Sequence, residues 1–571
     1  MPGNQVEHSE RVYSGIVLSA LTFEDLHIWN ADDAALAIAR SLDCNTLIAT
    51  LMRMRGIEDH AQAREFLRPG LLDIGKAFSL GEGVPSGEDF LRHVGPDTRV
   101  VVYGDYDVDG VTSTALGVEL CLSLGASVRY FIPDRHRQGY GLHEDMVRAI
   151  AQTGCDFLLV VDCGTKSREA KEAARELGIP VFVFDHHLPD EGGEEGDHWG
   201  YLVNPHVSGG NLAARRLSAA GVLWVWILQN NLASPSWLGE RLDLVALSTI
   251  ADCMELGVPN RTLVHEGLQV LGRSLRPGMQ VLKESLGLNE RFITEEDVAM
   301  RIAPCINAAG RLDLAELAVK VLLSEEGYPE WVDRLVSLNR QRQNVSAKIY
   351  GEILPALQEG QRVFLNSSWP AGVLSGVASR ACSRFYCPVV LAAPVGEGIR
   401  GTVRFPRGGN AVEFLREKAP SLTAWGGHPY AAGFSTPRDV WGSLAEEMEQ
   451  DLRGFIPEQE KIHVCASPPV VFSPSLWNQI ARLGPFGKGN PYPLLFCEQD
   501  LRIPRRNFGA GGKHLAFIHG DVEIIAWNGT SFFEHYGFPS GVVYRPRLNL
   551  WRGRSQVQLI LEYAVYEKLM A

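Results

Sequence analysis

A chain of 571 residues exceeds what one hydrophobic core supports, so we expect three or four domains. Hydrophobic residues make up 45% and charged residues 21%, as in an ordinary soluble globular protein, and no apolar run is long enough to form a membrane-spanning helix. The polar N-terminus lacks a signal-peptide core, and the ten cysteines include no Cys-x-x-Cys pair. We therefore expect reduced thiols and a cytoplasmic location.

The net charge of −14 is unevenly distributed along the chain. From Lys461 onward there are 12 lysines and arginines against 7 acidic residues, a balance of +5, which leaves −19 for the first 460 residues. A basic module on an acidic body can still hold a polyanion locally. The overall acidity therefore does not exclude a nucleic-acid partner.

Residues 30–70 have the periodicity of short helices. Asp32 and Asn45 are placed to cap helices over 34–42 and 46–55, respectively. We interpret this segment as a packing subdomain without a catalytic role.

The acidic stretch 100–116 is the most informative part of the chain. An apolar run predicts a buried strand, and the carboxylates Asp105, Asp107 and Asp109 follow at alternate positions before a glycine and a predicted helix. Packed carboxylates repel one another unless a cation neutralises them, so the stretch predicts a divalent-metal site. Two alternatives are a solvated acidic turn and an EF-hand loop, in which Leu116 would replace the required glutamate.

Strands and helices alternate between residues 99 and 255, which predicts an α/β fold with a doubly wound parallel sheet. After the first strand, further strands are predicted at 127–132, 157–161, 181–184 and 202–206. Three strands end in side chains that can bind metal, and the carboxyl ends of parallel strands lie on one edge of a sheet. We therefore expect these residues to converge: Asp107, Asp109, Asp162, His186 and His187.

Asp252 lies at the end of an apolar helix predicted from Asp243, where a carboxylate is unfavourable unless it is paired or at the surface. We expect it to be a fifth metal ligand, with a surface helix end as the alternative. Carboxylates combined with imidazole suit Mn²⁺ or Mg²⁺, and a shared carboxylate can bridge two ions.

From Lys461 to the end, short strands separated by turns predict a small β-barrel. Basic residues interleave there with aromatic residues such as Phe517, Trp527 and Tyr544. This pattern suits a single-stranded nucleic acid, whose phosphates pair with cations and whose bases stack on rings. Alternatively, the rings belong to the core and the cations to a solvated face.

Several motifs follow one another in a recognisable order. The early ones are Asp105-Tyr-Asp107-Val-Asp109-Gly110, Val161-Asp162-Cys163-Gly164, Phe184-Asp185-His186-His187 and Ala251-Asp252. The later ones are Asn307-Ala-Ala-Gly-Arg311-Leu-Asp313 and the segments 369–380, 426–434 and 483–491. Together they resemble the DHH phosphoesterase superfamily and, within it, the RecJ exonuclease family, over residues 30–571.

The resemblance implies a domain order. It consists of an N-terminal helical segment (1–75), a parallel-sheet DHH catalytic domain (76–325), a long connecting helix (326–360), a smaller α/β DHH-associated domain (361–460) and an OB-type β-barrel that binds nucleic acid (461–571).

The resemblance also implies the activity, a metal-dependent 5′→3′ exonuclease that hydrolyses single-stranded DNA to 5′-mononucleotides in DNA repair and recombination. The ligands that it implies for two Mn²⁺ or Mg²⁺ ions are Asp107, Asp109, Asp162, His186 and Asp252. Asp162 would bridge the ions, His187 would contact the scissile phosphate, and Asp185 would orient a histidine. Asp105 would lie behind the ligands or bind weakly.

The resemblance implies a set of residues in contact with the substrate: Arg135, Tyr140, Arg311, Arg380, Arg404 and His428. Guanidinium groups match the geometry of phosphate, which supports the arginines in this set. Three features depart from the family pattern. Tyr103 stands where many relatives carry histidine, the segment 401–405 only partly matches the usual phosphate motif, and Leu314 stands where a second aspartate is common.

The partner that we expect is single-stranded DNA, and the resemblance allows a helicase and a single-strand-binding protein. We expect a monomer without membrane contact. Two rival functions are a DHH phosphodiesterase acting on short oligonucleotides, cyclic dinucleotides or polyphosphate, and an inactive replication scaffold. The basic C-terminal region argues against the first, and the complete set of acids and histidines argues against the second.

Overall fold

The computed structural model describes residues 18–67, 70, 74–134, 141–189, 199–273, 276–288, 292–312, 315–458, 460–467, 472–498, 505–519, 522–551 and 554–568. The chain divides into two compact units, Met1–Leu335 with Ile462–Ala571, and Val336–Lys461. Among the described helices, none combines the length and the apolar character needed to cross a bilayer. All ten cysteines are free thiols.

The described chain begins with two short strands and a group of small helices. Their bounds are β1 Ser19–Thr22, β2 Leu26–Trp29, α1 Asp33–Leu42, α2 Thr46–Arg53, α3 His60–Leu67, α4 Ile74–Ala77 and α5 Gly87–Leu91. The predicted caps are confirmed, since Asp32 accepts a hydrogen bond from the Ala35 amide at 2.7 Å and Asn45 accepts one from the Leu47 amide at 2.8 Å.

The predicted parallel sheet is confirmed. Its strands are β3 Arg99–Gly104, β4 Ser127–Phe131, β5 Phe157–Val161, β6 Val181–Phe184 and β7 Tyr201–Val203. They lie in the order β4-β3-β5-β6-β7, and every pair is parallel. The helices between them are α6 Val108–Ser123, α7 Glu144–Gln152 and α8 Arg168–Glu176. This arrangement places the ends of β3, β5 and β6 side by side.

A largely helical region follows the sheet. Its helices are α9 Ala219–Gln229, α10 Pro235–Glu240, α11 Leu242–Ala251, α12 Val258–Arg273, α13 Pro277–Ser285, α14 Glu295–Asp297, the π-helical turn Val298–Ile302, α15 Ala303–Leu312, α16 Glu316–Leu323 and α17 Pro329–Gln358. Helices α9 and α11 are buried along almost their whole length because apolar residues occupy all their faces. The long helix predicted after residue 326 is present as α17.

The second unit contains a smaller sheet with helices. Its elements are β8 Val363–Leu365, α18 Ala371–Phe385, β9 Val389–Val395, β10 Gly398–Arg404, α19 Ala411–Glu417, β11 Ala424–His428, β12 Ala431–Pro437 and α20 Trp441–Arg453. The strand order is β11-β12-β10-β9-β8, with only the β8–β9 pair parallel among the described strands. Phe414, Phe434 and Met448 lie in its core.

The C-terminal part returns to the first unit as a sheet. Its elements are β13 Ile462–Ala466, α21 Pro474–Ala481, β14 Leu495–Cys497, β15 Arg505–Phe508, β16 His514–His519, β17 Val522–Ala526, α22 Gly529–Tyr536, β18 Gly541–Trp551 and β19 Arg554–Tyr566. The strands pair in the order β15-β16-β17-β19-β18-β14-β13, and two strands from the start of the chain join them. Strand β1 pairs parallel with β19, and β2 pairs parallel with β13.

Helices α1, α2 and α3 share one hydrophobic core with this C-terminal sheet. Ile48 and Leu51 of α2 lie in the same cluster as Phe517 and Leu559. No strand was predicted before residue 30, and the N-terminal helices were predicted to form a packing subdomain. The N-terminal and C-terminal ends of the described chain therefore depend on each other for their burial.

Candidate metal centre

The acidic and imidazole side chains predicted to converge lie together at the carboxyl edge of the parallel sheet. His186 is central, because its Nε2 atom lies 3.5 Å from Asp109 Oδ2, 3.3 Å from Asp162 Oδ1 and 3.7 Å from Asp252 Oδ2. Donor atoms within 4.8 Å of one another form three groups: Asp162 with His186 and His187; Asp109 with His186 and Asp252; Asp105 with Asp107 and Asp162. Because Asp162 and His186 each belong to two groups, the three form one connected cluster.

The first turn of α6 positions Asp107 and Asp109. Asp107 is the N-cap residue, and its carboxylate accepts a hydrogen bond from the Gly110 amide at 3.2 Å. A Cβ atom at Gly110 would lie only 2.3 Å from the Asp105 carbonyl oxygen. The glycine in the motif therefore lets the helix begin directly against the loop that carries the acids.

Asp109 is held by elements that are distant in the sequence. Its carboxylate accepts hydrogen bonds from the Ala219 amide at 2.7 Å, the Ala220 amide at 3.1 Å and the Ser248 hydroxyl at 2.6 Å. The two amides belong to the N-terminus of α9, where unpaired N–H groups and the helix dipole favour an anion. Ser248 lies on α11. The carboxylate is therefore fixed in one orientation before any cation binds.

Asp162 adopts a backbone conformation that is uncommon for a residue with a side chain. Its φ angle is +61°, immediately after β5, and its amide donates to the Phe184 carbonyl at 2.9 Å. Aspartate tolerates the left-handed region better than most residues, but the conformation still costs free energy. Such conformations concentrate at functional sites, where the surroundings hold them in place.

Asp185 lies behind the cluster and holds His187. One of its oxygens lies 2.8 Å from His187 Nδ1 and also accepts from the His186 and His187 amides, while the other accepts from the Thr165 amide at 3.0 Å. Asn204 supports the same region, since its amide nitrogen donates to Thr165 Oγ1 at 2.9 Å and to the His187 carbonyl at 2.8 Å. An ionised carboxylate only accepts, so Nδ1 carries the proton in this contact.

The protonation equilibria of the cluster show the effect of packing carboxylates together. Burial, followed by repulsion from Asp109, raises the pKa of Asp107 and raises that of Asp162 well above its usual value. Removal from water and the charges of Asp109 and Asp107 raise the pKa of Asp252 to about 8. A divalent cation would lower these raised pKa values because its charge compensates the repulsion between the carboxylates. A set of carboxylate and imidazole ligands suits Mn²⁺ or Mg²⁺. The donor set therefore fits such ions.

The two neighbouring histidines differ in their protonation. Burial lowers the pKa of His186 despite the acids around it, so this imidazole is suited to bind a cation through a neutral ring. Burial also disfavours charge on His187, but the hydrogen bond to Asp185 outweighs that effect and raises its pKa to about 9. The pKa of Asp185 is correspondingly lowered, since the contacts to His187 and His186 outweigh burial. His187 is therefore suited to face an anion.

Two of the predicted substrate-contact residues, Arg135 and Tyr140, lie outside the described residues. The backbone of Arg311 belongs to α15, and its side chain is outside the description. Tyr103, which departs from the family pattern, is fully buried, and its hydroxyl donates to the Gly141 carbonyl at 2.9 Å. The hydroxyl therefore bonds the segment directly before α7.

The other predicted contacts belong to the second unit. Arg404 and His428 are both cross-strand partners of Ala431, so they flank β12 at the same level. Arg404 Nε donates to the Ser379 hydroxyl at 2.9 Å, and the guanidinium of Arg380 lies 4.3 Å from the centre of the Tyr350 ring. The structure therefore brings Arg404 and His428 to the same level of the sheet and places Arg380 against the long helix α17, while Arg404 is also bonded to its own strand.

The aromatic residues of the C-terminal region follow the core alternative. Phe517 and Tyr544 are fully buried and Trp527 is nearly so, because alternate positions of a strand face the core. They offer no stacking surface, which corrects the first interpretation of those rings. Exposed cations do occur on the edge strand β15, where the Arg505 guanidinium lies 4.5 Å from the centre of the Phe538 ring.

Several residues that support the cluster were not predicted from the sequence. Ser248, Thr165, Asn204 and the amides of Ala219 and Ala220 hold Asp109, Asp185 and His187. A serine before the apolar run at 219–229 indicates a helix N-terminus, which is an anion site in general. Nothing local in the sequence indicates that this terminus faces Asp109.

Comparisons with known proteins agree with this geometry. The model of the DHH family, N-terminal domain, matches residues 99–258, and that of the RecJ OB domain matches residues 466–563. The single-stranded-DNA-specific exonuclease RecJ of Bacillus subtilis is 31% identical over 563 residues, covering 93% of this chain and 69% of the relative.

Two solved structures of RecJ from Thermus thermophilus have a similar fold. The complex with Mn²⁺ superposes with a TM-score of 0.77 at 28% identity, covering 95% of this chain and 79% of the other. The complex with Mg²⁺ gives a TM-score of 0.71 at 27% identity, covering 95% and 80%. The metals in those complexes are the ones that the donor set here suits. The chain belongs to the RecJ family of DHH phosphoesterases.

Proposed function

We propose that the chain is a two-metal phosphodiesterase that removes nucleotides from single-stranded DNA in the 5′→3′ direction and releases 5′-mononucleotides. The observation that carries the proposal is the connected cluster in which Asp162 and His186 are each shared between groups of donors. A carboxylate shared by two groups is what a pair of cations needs for a bridging ligand. The exonuclease activity named for the relatives in this family supports the substrate class.

The residues divide into ligands and supports. In the proposal, Asp107, Asp109, Asp162, His186 and Asp252 hold the ions, and Asp105 is near enough to join them. Divalent ions bound there would promote the ionisation of water and stabilise negative charge developing on a phosphate. His187, oriented through Nδ1 by Asp185, would donate a hydrogen bond to a phosphate oxygen through its other ring nitrogen.

We propose that the five segments inferred from the sequence act as one nuclease. The DHH part would carry the chemistry, the second unit would bind the strand through Arg380, Arg404 and His428, and β15 would add contacts through Arg505 and Arg506. A helicase, a single-strand-binding protein and a monomeric state belong to this proposal, as does a cytoplasmic location.

A metal titration tests the proposed chemistry. The protein, freed of metal and then titrated with Mn²⁺ or Mg²⁺, should degrade a single strand labelled at its 3′ end and shorten it from the 5′ end. Asp162→Asn should abolish hydrolysis while strand binding is kept, because it removes the shared charge without truncating the side chain. Undegraded strand at every metal concentration would contradict the proposal and favour an inactive scaffold.

A length series tests the substrate class. Oligonucleotides of increasing length should be cut with rising kcat/KM until the basic surfaces are occupied, since each added phosphate contact contributes to binding. A maximum at dinucleotides would instead indicate a phosphodiesterase for short oligonucleotides.

A further inference from the structure

A tight hairpin from the C-terminal part lies against the segment that follows Asp252. The Gly487 amide donates to the Asn490 carbonyl at 2.8 Å and the Asn490 amide donates back at 3.1 Å, so Lys488 and Gly489 form a two-residue tip. The Leu256 amide donates to the Lys488 carbonyl at 2.7 Å, which joins the tip to the chain four residues after Asp252.

The approach of the two segments requires glycine at the tip. Gly489 has φ +80°, and a Cβ atom there would lie 2.5 Å from Cγ of Glu255. A side chain at this position would therefore be strained and would also push the hairpin away from Glu255.

The base of the hairpin is fixed by buried polar contacts. The Asn490 side-chain nitrogen donates to the Leu483 and Pro485 carbonyls, both at 2.8 Å. Arg55 Nε donates to Asn490 Oδ1 at 2.6 Å. Because the tip is held on both sides, the position of Lys488 is set before a ligand arrives, which reduces the ordering cost of binding.

Lys488 is exposed, and within the described part of the chain it forms no ion pair shorter than 4.0 Å. Its carbonyl accepts from the Leu256 amide and its neighbour Gly489 packs against Glu255, so Lys488 lies beside the segment that follows Asp252. Its neighbour Glu255 is already paired with Arg216 at 2.8 Å. Lys488 is therefore an exposed cation next to the segment that carries Asp252, and its ammonium is not neutralised by an ion pair with any described residue.

The net charge of the metal centre indicates a role for the Lys488 ammonium. Six carboxylates meet here: Asp105, Asp107, Asp109, Asp162, Asp185 and Asp252. Two divalent ions and a protonated His187 would supply five positive charges, which leaves one negative charge in excess. An arriving phosphodiester is itself an anion, so it still meets a site with excess negative charge. A lysine at the rim reduces this repulsion and binds phosphate as a point charge.

We propose that Lys488 binds a backbone phosphate of the nucleic-acid strand next to the metal centre, so that the C-terminal hairpin completes the catalytic site. This inference rests on the proposed nuclease function. It assigns the strand contact to a residue outside the DHH part, presented by the tip at Lys488–Gly489.

Substitution at Lys488 gives the first test. Lys488→Met should lower kcat/KM for a single strand by about tenfold, the size of one charge-assisted hydrogen bond. Lys488→Arg should keep most of the kcat/KM of the unaltered protein. Lys568→Met removes the same charge at another exposed position and should change kcat/KM by less than about twofold. Thermal unfolding and Mn²⁺ affinity should be unchanged in all three variants, and a loss explained by either would overturn the proposal.

A charge-deletion scan of the substrate identifies the contact. Strands in which one linkage at a time is an uncharged methylphosphonate should each be cut more slowly by the unaltered protein. At one linkage near the cleaved end, the replacement should lower the cleavage rate of Lys488→Met much less than that of the unaltered protein. The reason is that the variant has already lost the contact to that phosphate. Independent, multiplying effects at every linkage would overturn the phosphate contact, whereas failure of the unaltered protein to cut any strand would refute the proposed function itself.

Discussion

Ser248→Ala tests whether the orientation of Asp109 governs metal binding. The Ser248 hydroxyl is buried and donates to Asp109 Oδ1 at 2.6 Å, while the Ala219 and Ala220 amides remain as donors when it is removed. A hydrogen bond to a charged group contributes about 1.5–3 kcal/mol, and loss of a contact behind a metal ligand reduces affinity by about 10–100-fold. Because the two amides stay, we expect the lower end, about tenfold.

Isothermal titration of the metal-free protein with Mn²⁺ measures this effect directly. The half-saturating Mn²⁺ concentration for strand cleavage should rise by the same factor. Ser123→Ala is the matched control, since that hydroxyl donates to the Leu120 carbonyl at the far end of α6 and touches no ligand. If Ser248→Ala folds normally and its Mn²⁺ affinity changes by less than about twofold, the hydroxyl does not hold Asp109 in its binding orientation.

Three further predictions follow from the packing and the charges. The fold raises the pKa of Asp252 to about 8, so the metal-free protein should lose stability as pH rises towards that value. Because Mn²⁺ binds the ionised carboxylate, the increase in Tm that Mn²⁺ causes should be larger at about pH 8.5 than at about pH 6. Equal increases at the two pH values would contradict this prediction. Arg261→Met leaves three backbone carbonyls without their buried donor. It should lower the free energy of unfolding, measured by urea denaturation, by about 3 kcal/mol or more. Arg64→Met, on the surface of α3, is the control and should change that free energy very little. Deleting residues 462–571 should unfold α1–α3, seen as loss of hydrogen-exchange protection, because their shared core is removed; retained protection would show that these helices fold independently.

Deletion of the C-terminal part disturbs the fold as well as strand binding. A deletion that starts at Lys461 removes strands that pair with β1 and β2, so weaker strand binding by the shortened chain would not report on phosphate contacts alone. Arg505→Ala combined with Arg506→Ala alters exposed cations of an edge strand and leaves the core intact. The salt dependence of strand binding in that variant isolates the electrostatic part.

Local patterns in the sequence determined much of the catalytic fold. The runs at 157–161 and 181–184 are strongly apolar and β-branched or aromatic, so the strands were predicted with their observed bounds. Parallel pairing then requires strand ends to meet at one edge, and this rule alone was enough to group Asp162 and His186 with Asp107 and Asp109.

Contacts between distant parts of the chain could be found only in the folded structure. Trp29 bonds His463 across 434 positions, and no local pattern encodes which strand pairs with which over that distance. The same holds for the bond from the Ala219 amide to Asp109 and for that from the Leu256 amide to the Lys488 carbonyl, since each joins separate elements through the packing of the whole unit. Residue type and spacing thus specified the donors of the metal centre, while the folded chain supplied the groups that orient them, because orientation depends on neighbours that only packing brings together.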